Sequence, residues 1–208
     1  MRHPSSTREM MTTLAVHVHG RTLDAGGGRR AKYREILSAH ASEYLCLDMQ
    51  AGGGVDIVGD VMAMPLEDAS FDTVVSNQVL EHIPRPDVFM SEAFRILKAG
   101  GSLICTAPFW EPVHADPDDF FRYTPDGLAA LCEHAGFQVT KSGAYGGVFA
   151  IMYSLLKFKF FNPYRTHSRF NRRLGRITGS LMMFLDHAVH IGGIFADSFV
   201  VANKPNHP

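Results

Sequence analysis

The chain has 208 residues, 46% hydrophobic and 20% charged, which suits one globular domain of ordinary composition with a sizeable core. Its net charge is −1, but seven Lys/Arg and no acid lie between Lys157 and Arg176; removing those seven leaves −8 for the rest. The composition excludes an obvious secretory signal or membrane span: the N-terminus lacks an apolar core, Ser142–Leu156 is too short and glycine-rich, and the later apolar run is broken by Asp186, His187 and His190. Ser6-Thr7-Arg8-Glu9 has the spacing of a capping box and predicts a helix to about His17. A strand follows over Arg21–Ala25, then the glycines Gly26-Gly27-Gly28, then a helix over Ala31–Ala39. Tyr44–Asp48 is an apolar strand ending in an acid, Val55–Val58 a weaker one, and Phe71–Ser76 a third bounded by turn residues. Asp87–Leu97 predicts a helix closed by Lys98-Ala99-Gly100-Gly101, and Ser102–Ala107 a strand stopped by Pro108. Thr124-Pro125-Asp126 is a helix start, with Gly136 as its stop. Phe137–Ser142 and Ser198–Asn203 read as the last two strands. Between them, Phe170, Leu174, Ile177, Leu181, Phe184 and Ala188 follow helical spacing.

Strands alternating with helices imply an α/β fold with a largely parallel sheet covered on both faces. Right-handed crossovers would gather the strand C-terminal ends on one edge. Asp24, Asp48, Asp60, Asn77 and Pro108 all fall at or just past such ends. Cys46, Cys105 and Cys132 form no CxxC pair and read as buried thiols of a reducing compartment. A cytoplasmic protein is therefore expected.

The glycine run fits two cofactors. Gly26-x-Gly28-x-x-Ala31 matches a dinucleotide fingerprint, and Asp24-x-Gly26-x-Gly28 matches a methyltransferase loop lacking its last glycine. Asp24 weighs against a pyrophosphate, which it would repel, and for a cation such as the sulfonium and ammonium of S-adenosylmethionine. Asp48 can accept two ribose hydroxyls with either cofactor. Asp60 can accept from an adenine amino group, and Met49 and Met62 can pack on the ring faces.

TLDAGGGRR, YLCLDM, GDVMAMPLEDASFDTVVSNQVLEHIPRPDVFMSEAFRILKAGGSLICTAPF and DDFFRYTPDGLAALCEHAGF, in that order, resemble a class I S-adenosylmethionine-dependent methyltransferase of the methyltransferase-11 type. The likeness covers roughly residues 21–141. It implies a three-layer Rossmann-like sheet of seven strands with the last antiparallel and placed beside the fifth. It implies that Asp24, Gly26 and Gly28 hold the methionine moiety and Asp48 the ribose. Met49, Asp60 and Val61 would surround the adenine, and Asn77 and Gln78 would line the methionine end. Leu80-Glu81-His82 is similar to the family's usual LEH, and ADSFVVANKP to its closing strand. Arg30 stands where the family has its third glycine, and Arg29-Arg30 read as the start of the next helix. The segment PFWEPVHADPDDFFRYTPDGL is similar to a subgroup linked to sugar or cell-surface glycan modification.

These readings divide the chain into an N-terminal helix (1–19), a cofactor-binding core (20–145), an apolar and basic helical insertion (146–195) and a closing strand (196–204). The expected function is methyl transfer to a small-molecule or glycan-like acceptor at oxygen. A hydroxyl acceptor needs a base; His114 is the first candidate and His82 the second, with Asp116, Asp118 and Asp119 nearby. Trp110, Arg122 and Tyr123 are candidate substrate residues, with plain core the alternative for Trp110 and a brace for the loop the alternative for the other two; His114-x-Asp116-x-Asp118-Asp119 has the donors for a hard cation but reads better as an acidic turn, so no resident metal is expected. The basic segment 157–176 is read as a lid, a dimer surface, solvated packing helices or a peripheral contact with the inner membrane face, with Phe158, Phe160 and Phe161 dipping into it. No nucleic-acid motif is present. The competing readings are an NAD-dependent oxidoreductase and a non-catalytic methyltransferase-like module.

Overall fold

The structure, a computed structural model, describes residues 4–114, 118–160, 169–189 and 191–206. The strands are β1 (Arg21–Ala25), β2 (Glu43–Asp48), β3 (Ile57–Val58), β4 (Phe71–Asn77), β5 (Leu97–Pro108), β6 (Gln138–Tyr145) and β7 (Asp197–Asn203). They form a seven-stranded sheet in the order β3-β2-β1-β4-β5-β7-β6. β1 runs parallel to β2 and β4, and β4 to β5; β7 lies antiparallel between β5 and β6. This is the expected fold. The antiparallel strand also separates it from the dinucleotide-binding order 3-2-1-4-5-6.

The helices are α1 (Thr7–Leu14), α2 (Arg34–Ser38), α3 (Pro86–Ile96), α4 (Pro125–His134), α5 (Val148–Phe160) and α6 (Arg169–Ala188). Successive strand residues point to opposite faces, so neighbours feed two cores. Leu23, Val74 and Leu103 pack with Phe89 and Ile96 of α3 and Leu128 of α4. Val75 and Ile104 face the other way, onto Met10, Met11 and Leu14 of α1 and Leu37 of α2. The three cysteines are buried and unbridged. The helix starts follow the sequence: Ser6 Oγ accepts from the Glu9 N–H at 3.3 Å, and Thr124 Oγ1 accepts from the Gly127 N–H at 3.0 Å.

Three elements depart from expectation. The helix anticipated from Ala31 begins only at Arg34, because Ala31 takes a left-handed φ of 43°. The backbone of Arg29–Ala31 is instead packed against Gly52 and Gly54, and the Gly54 N–H donates to the Arg29 carbonyl at 3.0 Å. Arg29 and Arg30 therefore belong to turns and do not start a helix. Second, α3 ends at Ile96 and β5 begins directly at Leu97, so Lys98–Gly101 lies inside the strand, where its register shifts against Phe71–Thr73 of β4. The reason is pairing: the Gly100 N–H donates to the Lys204 carbonyl beyond β7. Third, the strand anticipated over Val55–Val58 shrinks to Ile57–Val58 at the sheet edge.

The helical spacing after residue 170 does form a helix, α6, and the structure gives its direction. Its apolar row faces outward: Leu174, Ile177, Leu181 and Phe184 are 41%, 58%, 52% and 68% exposed. Small residues make the contact with α5 instead. Gly179 lies under the Tyr153 ring, and Tyr153 donates to the Gly175 carbonyl at 3.3 Å. Asp186, also on this face, accepts from the N–H groups of Gly147, Phe149 and Ala150. It supplies the acceptors that the first turn of α5 would otherwise lack. The side chain of Phe170 lies outside the described residues.

Candidate active site

The C-terminal ends of β1, β2, β4 and β5 and the start of β7 meet on one edge. β1 runs into the glycine loop. Gly26 has φ 80°, and a Cβ there would sit 2.7 Å from Val79 carbons. Gly28 has φ 75°, and a Cβ there would meet nothing within 4 Å. Gly26 is thus demanded by the protein, whereas Gly28 faces open space. The Gly28 N–H donates to Asp48 Oδ2 at 3.0 Å, and Asp48 Oδ1 accepts from the Gln50 N–H at 2.9 Å. The carboxylate at the end of β2 therefore braces the loop and stands at its rim.

Asp24 lies beneath the loop. It is 2% exposed, and a Cβ on Gly27 would come within 2.5 Å of its Oδ2. Tyr44 Oη donates to it at 2.5 Å. Burial pushes the Asp24 carboxyl up to about 6, against the opposing pull of the Tyr44 hydrogen bond.

Beyond β2, Met49 is 65% exposed. The Gly59 N–H donates to the Asp48 carbonyl, which draws Asp60 and Val61 toward the same rim. Asp60 Oδ1 accepts from the Met62 N–H at 2.8 Å, and Val61 is buried. At the end of β4, Asn77 Oδ1 accepts from Thr106 Oγ1 at 2.8 Å. Gln78 has a left-handed φ of 56°, rare for a non-glycine. Its amide reaches Tyr145 Oη and Asp197 Oδ1, each at 3.3 Å. Asp197 opens β7 and is nearly buried; burial first, then the charge of Glu111, raises its carboxyl to about 7.

On the far side of β4 the chain makes a 3₁₀ turn over Leu80–His82. Glu81 is fully buried, and neither carboxylate oxygen has a hydrogen-bond partner among the described residues. Burial raises its carboxyl to about 8. His82 Nε2 lies 3.7 Å and His114 Nε2 3.9 Å from Glu81 Oε1, and the two rings meet edge to face at 5.1 Å. The two expected base candidates are thus neighbours. Asp116 lies outside the described residues.

The expected substrate residues behave differently from one another. Trp110 is 58% exposed and lines a shallow hollow with Phe109, Phe120 and Phe121. Arg122 contributes to the same wall but spends its guanidinium on Asp119 and on the carbonyls of Glu111, Pro112 and Phe121. That pairing holds Asp119 down to about 2. Arg122 is a brace for the loop. Tyr123 is buried with its hydroxyl toward the Leu80 carbonyl, so it is a core residue. α5 borders the hollow: Ser154 Oγ donates to Glu111 Oε2 at 2.5 Å.

Sequence reasoning passed over Glu81 and Asp197. Glu81 sits inside the quoted LEH motif, beside a candidate base. Asp197 is marked by direction: an antiparallel closing strand puts its first residue on the edge where the parallel strands end.

The family described as a methyltransferase domain, type 11, matches residues 23–105. That stretch carries β1 to β5 with the glycine loop and Asp48. In this core the chain is similar to the class I S-adenosylmethionine-dependent methyltransferases. A Mycolicibacterium smegmatis relative named for S-adenosylmethionine-dependent methyl transfer is 31% identical over 147 residues, 66% of this chain and 54% of that protein. An arsenite methyltransferase of Halobacterium salinarum is 30% identical over 94 residues, 40% of this chain and 24% of that one. The chain thus spans between about a quarter and half of these curated relatives. A methyltransferase structure from Archaeoglobus fulgidus superposes with a TM-score of 0.61 at 19% identity, covering 96% of this chain and 95% of that one. Phosphoethanolamine N-methyltransferase 2 of Haemonchus contortus, solved with S-adenosylmethionine, gives 0.59 at 17%, covering 90% and 49%. The methyltransferase cofactor fits the observed rim: an open cradle at Gly28, a carboxylate beside it, and an acid beneath the loop where a pyrophosphate would be repelled. The named acceptors of these proteins include arsenic and nitrogen, so kinship does not choose the acceptor atom.

Proposed function

We propose that this chain transfers a methyl group from S-adenosylmethionine to a small-molecule acceptor, at oxygen. The observation that carries the reading is the open side of Gly28 beside Asp48. Asp24, Gly26 and Gly28 would hold the methionine moiety, Asp48 the ribose, and Met49, Asp60 and Val61 the adenine; Asn77 and Gln78 would line the methionine end. The cofactor supplies an electrophilic methyl carbon on a sulfonium. The protein aligns the acceptor and keeps the site dry. The exposed Trp110 and its neighbouring phenylalanines suit the apolar face of a sugar, which favours a glycan-like acceptor. A hydroxyl must lose its proton, and the Glu81–His82–His114 group, on the loops that border the hollow, is where we place that loss.

At 100 times its dissociation constant, S-adenosylmethionine should stabilise the protein by roughly 2.7 kcal/mol, while NAD gives no shift. Asp48→Ala should abolish the shift, since it removes both the ribose acceptor and the brace on Gly28. A thermal scan with S-adenosylmethionine, S-adenosylhomocysteine and NAD side by side tests this; stabilisation by NAD alone sinks it.

We also read the α5–α6 hairpin as a peripheral contact for an anionic membrane face. The outward apolar row of α6 lies on a helix carrying the exposed Arg173 and Arg176, and α5 carries exposed Phe158, Phe160, Lys157 and Lys159. Phe161 lies outside the described residues, and among these no helix is long and apolar enough to cross a membrane. Vesicles containing phosphatidylserine should sediment the protein at low salt and release it at high salt. Equal recovery with neutral vesicles would remove the electrostatic part, and no sedimentation at all would remove the contact.

A further inference from the structure

Glu81, His82 and His114 make an arrangement that methyl transfer by itself does not require. Each offers one donor atom, and the three atoms lie within 4.8 Å of one another. His82 Nδ1 is 2.5 Å from the Asp118 carbonyl oxygen, and His114 Nδ1 is 3.0 Å from that of Pro112. A carbonyl only accepts, so each Nδ1 carries the proton. In its neutral form each ring then presents Nε2 as a lone pair, and both Nε2 atoms face Glu81 Oε1, at 3.7 and 3.9 Å. Ligating imidazoles are commonly fixed in this way, with the outer nitrogen tied to a carbonyl and the inner lone pair turned to a metal.

With both rings neutral, the three groups offer one another no hydrogen bond. A carboxylate oxygen and two bare nitrogens are all acceptors. The separations exceed hydrogen-bond reach, so a proton on Glu81 bridges neither ring. Yet Glu81 is fully buried, with both oxygens lacking a donor among the described residues. A buried carboxyl left in that state is costly. One cation would satisfy all three.

We propose that Glu81, His82 and His114 bind one divalent transition-metal ion of the zinc class. Two imidazoles and a carboxylate suit Zn²⁺, Co²⁺ or Fe²⁺; Mg²⁺ and Ca²⁺ prefer oxygen donors. Three protein ligands leave a coordination position open, as at catalytic zinc sites. Tetrahedral Zn²⁺ with bonds near 2.05 Å sets its ligands about 3.3 Å apart, so binding draws the groups slightly together. His114, whose side chain is 38% exposed on its loop, has room to move. The acidic alternative around His114 is weaker, because Arg122 already occupies Asp119. What the ion does rests on the reading above, with the proton's loss still placed at this group: once their lone pairs hold the ion, the two rings and Glu81 no longer take the proton themselves, and the ion would act as a Lewis acid that lets an acceptor hydroxyl release its proton to water. Whether it binds does not depend on that reading.

The test uses the full chain, stripped with chelator and dialysed against ZnCl₂ or CoCl₂, with metal counted per protein. One equivalent should bind, and Co²⁺ should give visible d–d bands of a four- or five-coordinate nitrogen–oxygen site. His114→Ala and Glu81→Gln should each lower metal affinity at least 100-fold, while the exposed-histidine variants His40→Ala and His134→Ala should leave it unchanged. If Glu81→Gln fails to fold, His114→Ala on its half-exposed loop decides. S-adenosylmethionine binding is measured on the same samples and should stay within twofold throughout. Metal binding that survives His114→Ala, or no bound metal, overturns the site. Metal binding without S-adenosylmethionine binding overturns the cofactor reading alone.

Discussion

Gly28→Ala is expected to weaken S-adenosylmethionine binding by roughly ten- to a hundredfold while costing the apoprotein only about 1 kcal/mol. The two effects separate because of where the new methyl goes. At φ 75° an alanine is strained by about 1–2 kcal/mol at most. Its Cβ meets no protein atom within 4 Å, so the fold has nothing further to lose. A ligand filling that space meets the methyl directly, and overpacking of this kind costs about 1–3 kcal/mol. Gly26→Ala is the control. Its Cβ would press on Val79 at 2.7 Å, so stability and binding should fall together. Calorimetric titration and urea denaturation of both variants give the answer. Equal binding losses per unit of lost stability would mean that the open side of Gly28 is not the ligand side.

Asp24→Asn is expected to make the protein more stable and the enzyme worse. The Asp24 carboxyl is raised to about 6 by burial, against an ordinary value of about 3.9. Between about pH 4 and 6 the unfolded chain has released this proton and the folded one has not. The folded state therefore binds more protons, and stability falls as pH rises through that window. Above pH 6 the offset is constant, on the order of 2–3 kcal/mol. Asparagine still accepts from Tyr44 but carries no charge. The stability difference between variant and wild type should thus grow from near zero at pH 4 to its full size above pH 6. Ligand affinity should move the other way. S-adenosylmethionine, with its sulfonium, should lose about tenfold, and uncharged-sulfur S-adenosylhomocysteine much less. Equal losses for the two ligands would show that Asp24 acts by shaping the loop and not by its charge.

Much of the architecture could be read from the sequence because its signals are local. Short apolar strands, the Ser6 and Thr124 caps and the stop at Gly136 need only their neighbours. The failures involve partners distant in sequence. Ala31 was expected to start a helix, but residues 52–54 hold the preceding turn. The α6 periodicity announces an apolar face without saying which way it points. Gly175, Gly179 and Asp186 decide that, by fitting against α5. At the site, the acids after each strand were legible as chemistry. Tyr44, which buries Asp24, and the meeting of Glu81 with His114 are products of the tertiary fold. Arg122 is open from sequence between holding a substrate and bracing the loop, and only the fold shows its pairing with Asp119 and three carbonyls.

The position of β7 bears on how the chain is made. β7 separates β5 from β6, although it is the last strand to leave the ribosome. β6 pairs only with β7 in the sheet, so it has no docking partner until residues 197–203 emerge. Until then β5 presents an open edge, and the first five strands form a nascent sheet that can pair with a neighbouring chain. Completion of the sheet therefore waits until β7 has emerged, and the long sequence separations involved predict slow closure. Asp197 reaches the cleft in the same step, so the edge that carries the chemistry is completed only when the sheet itself is.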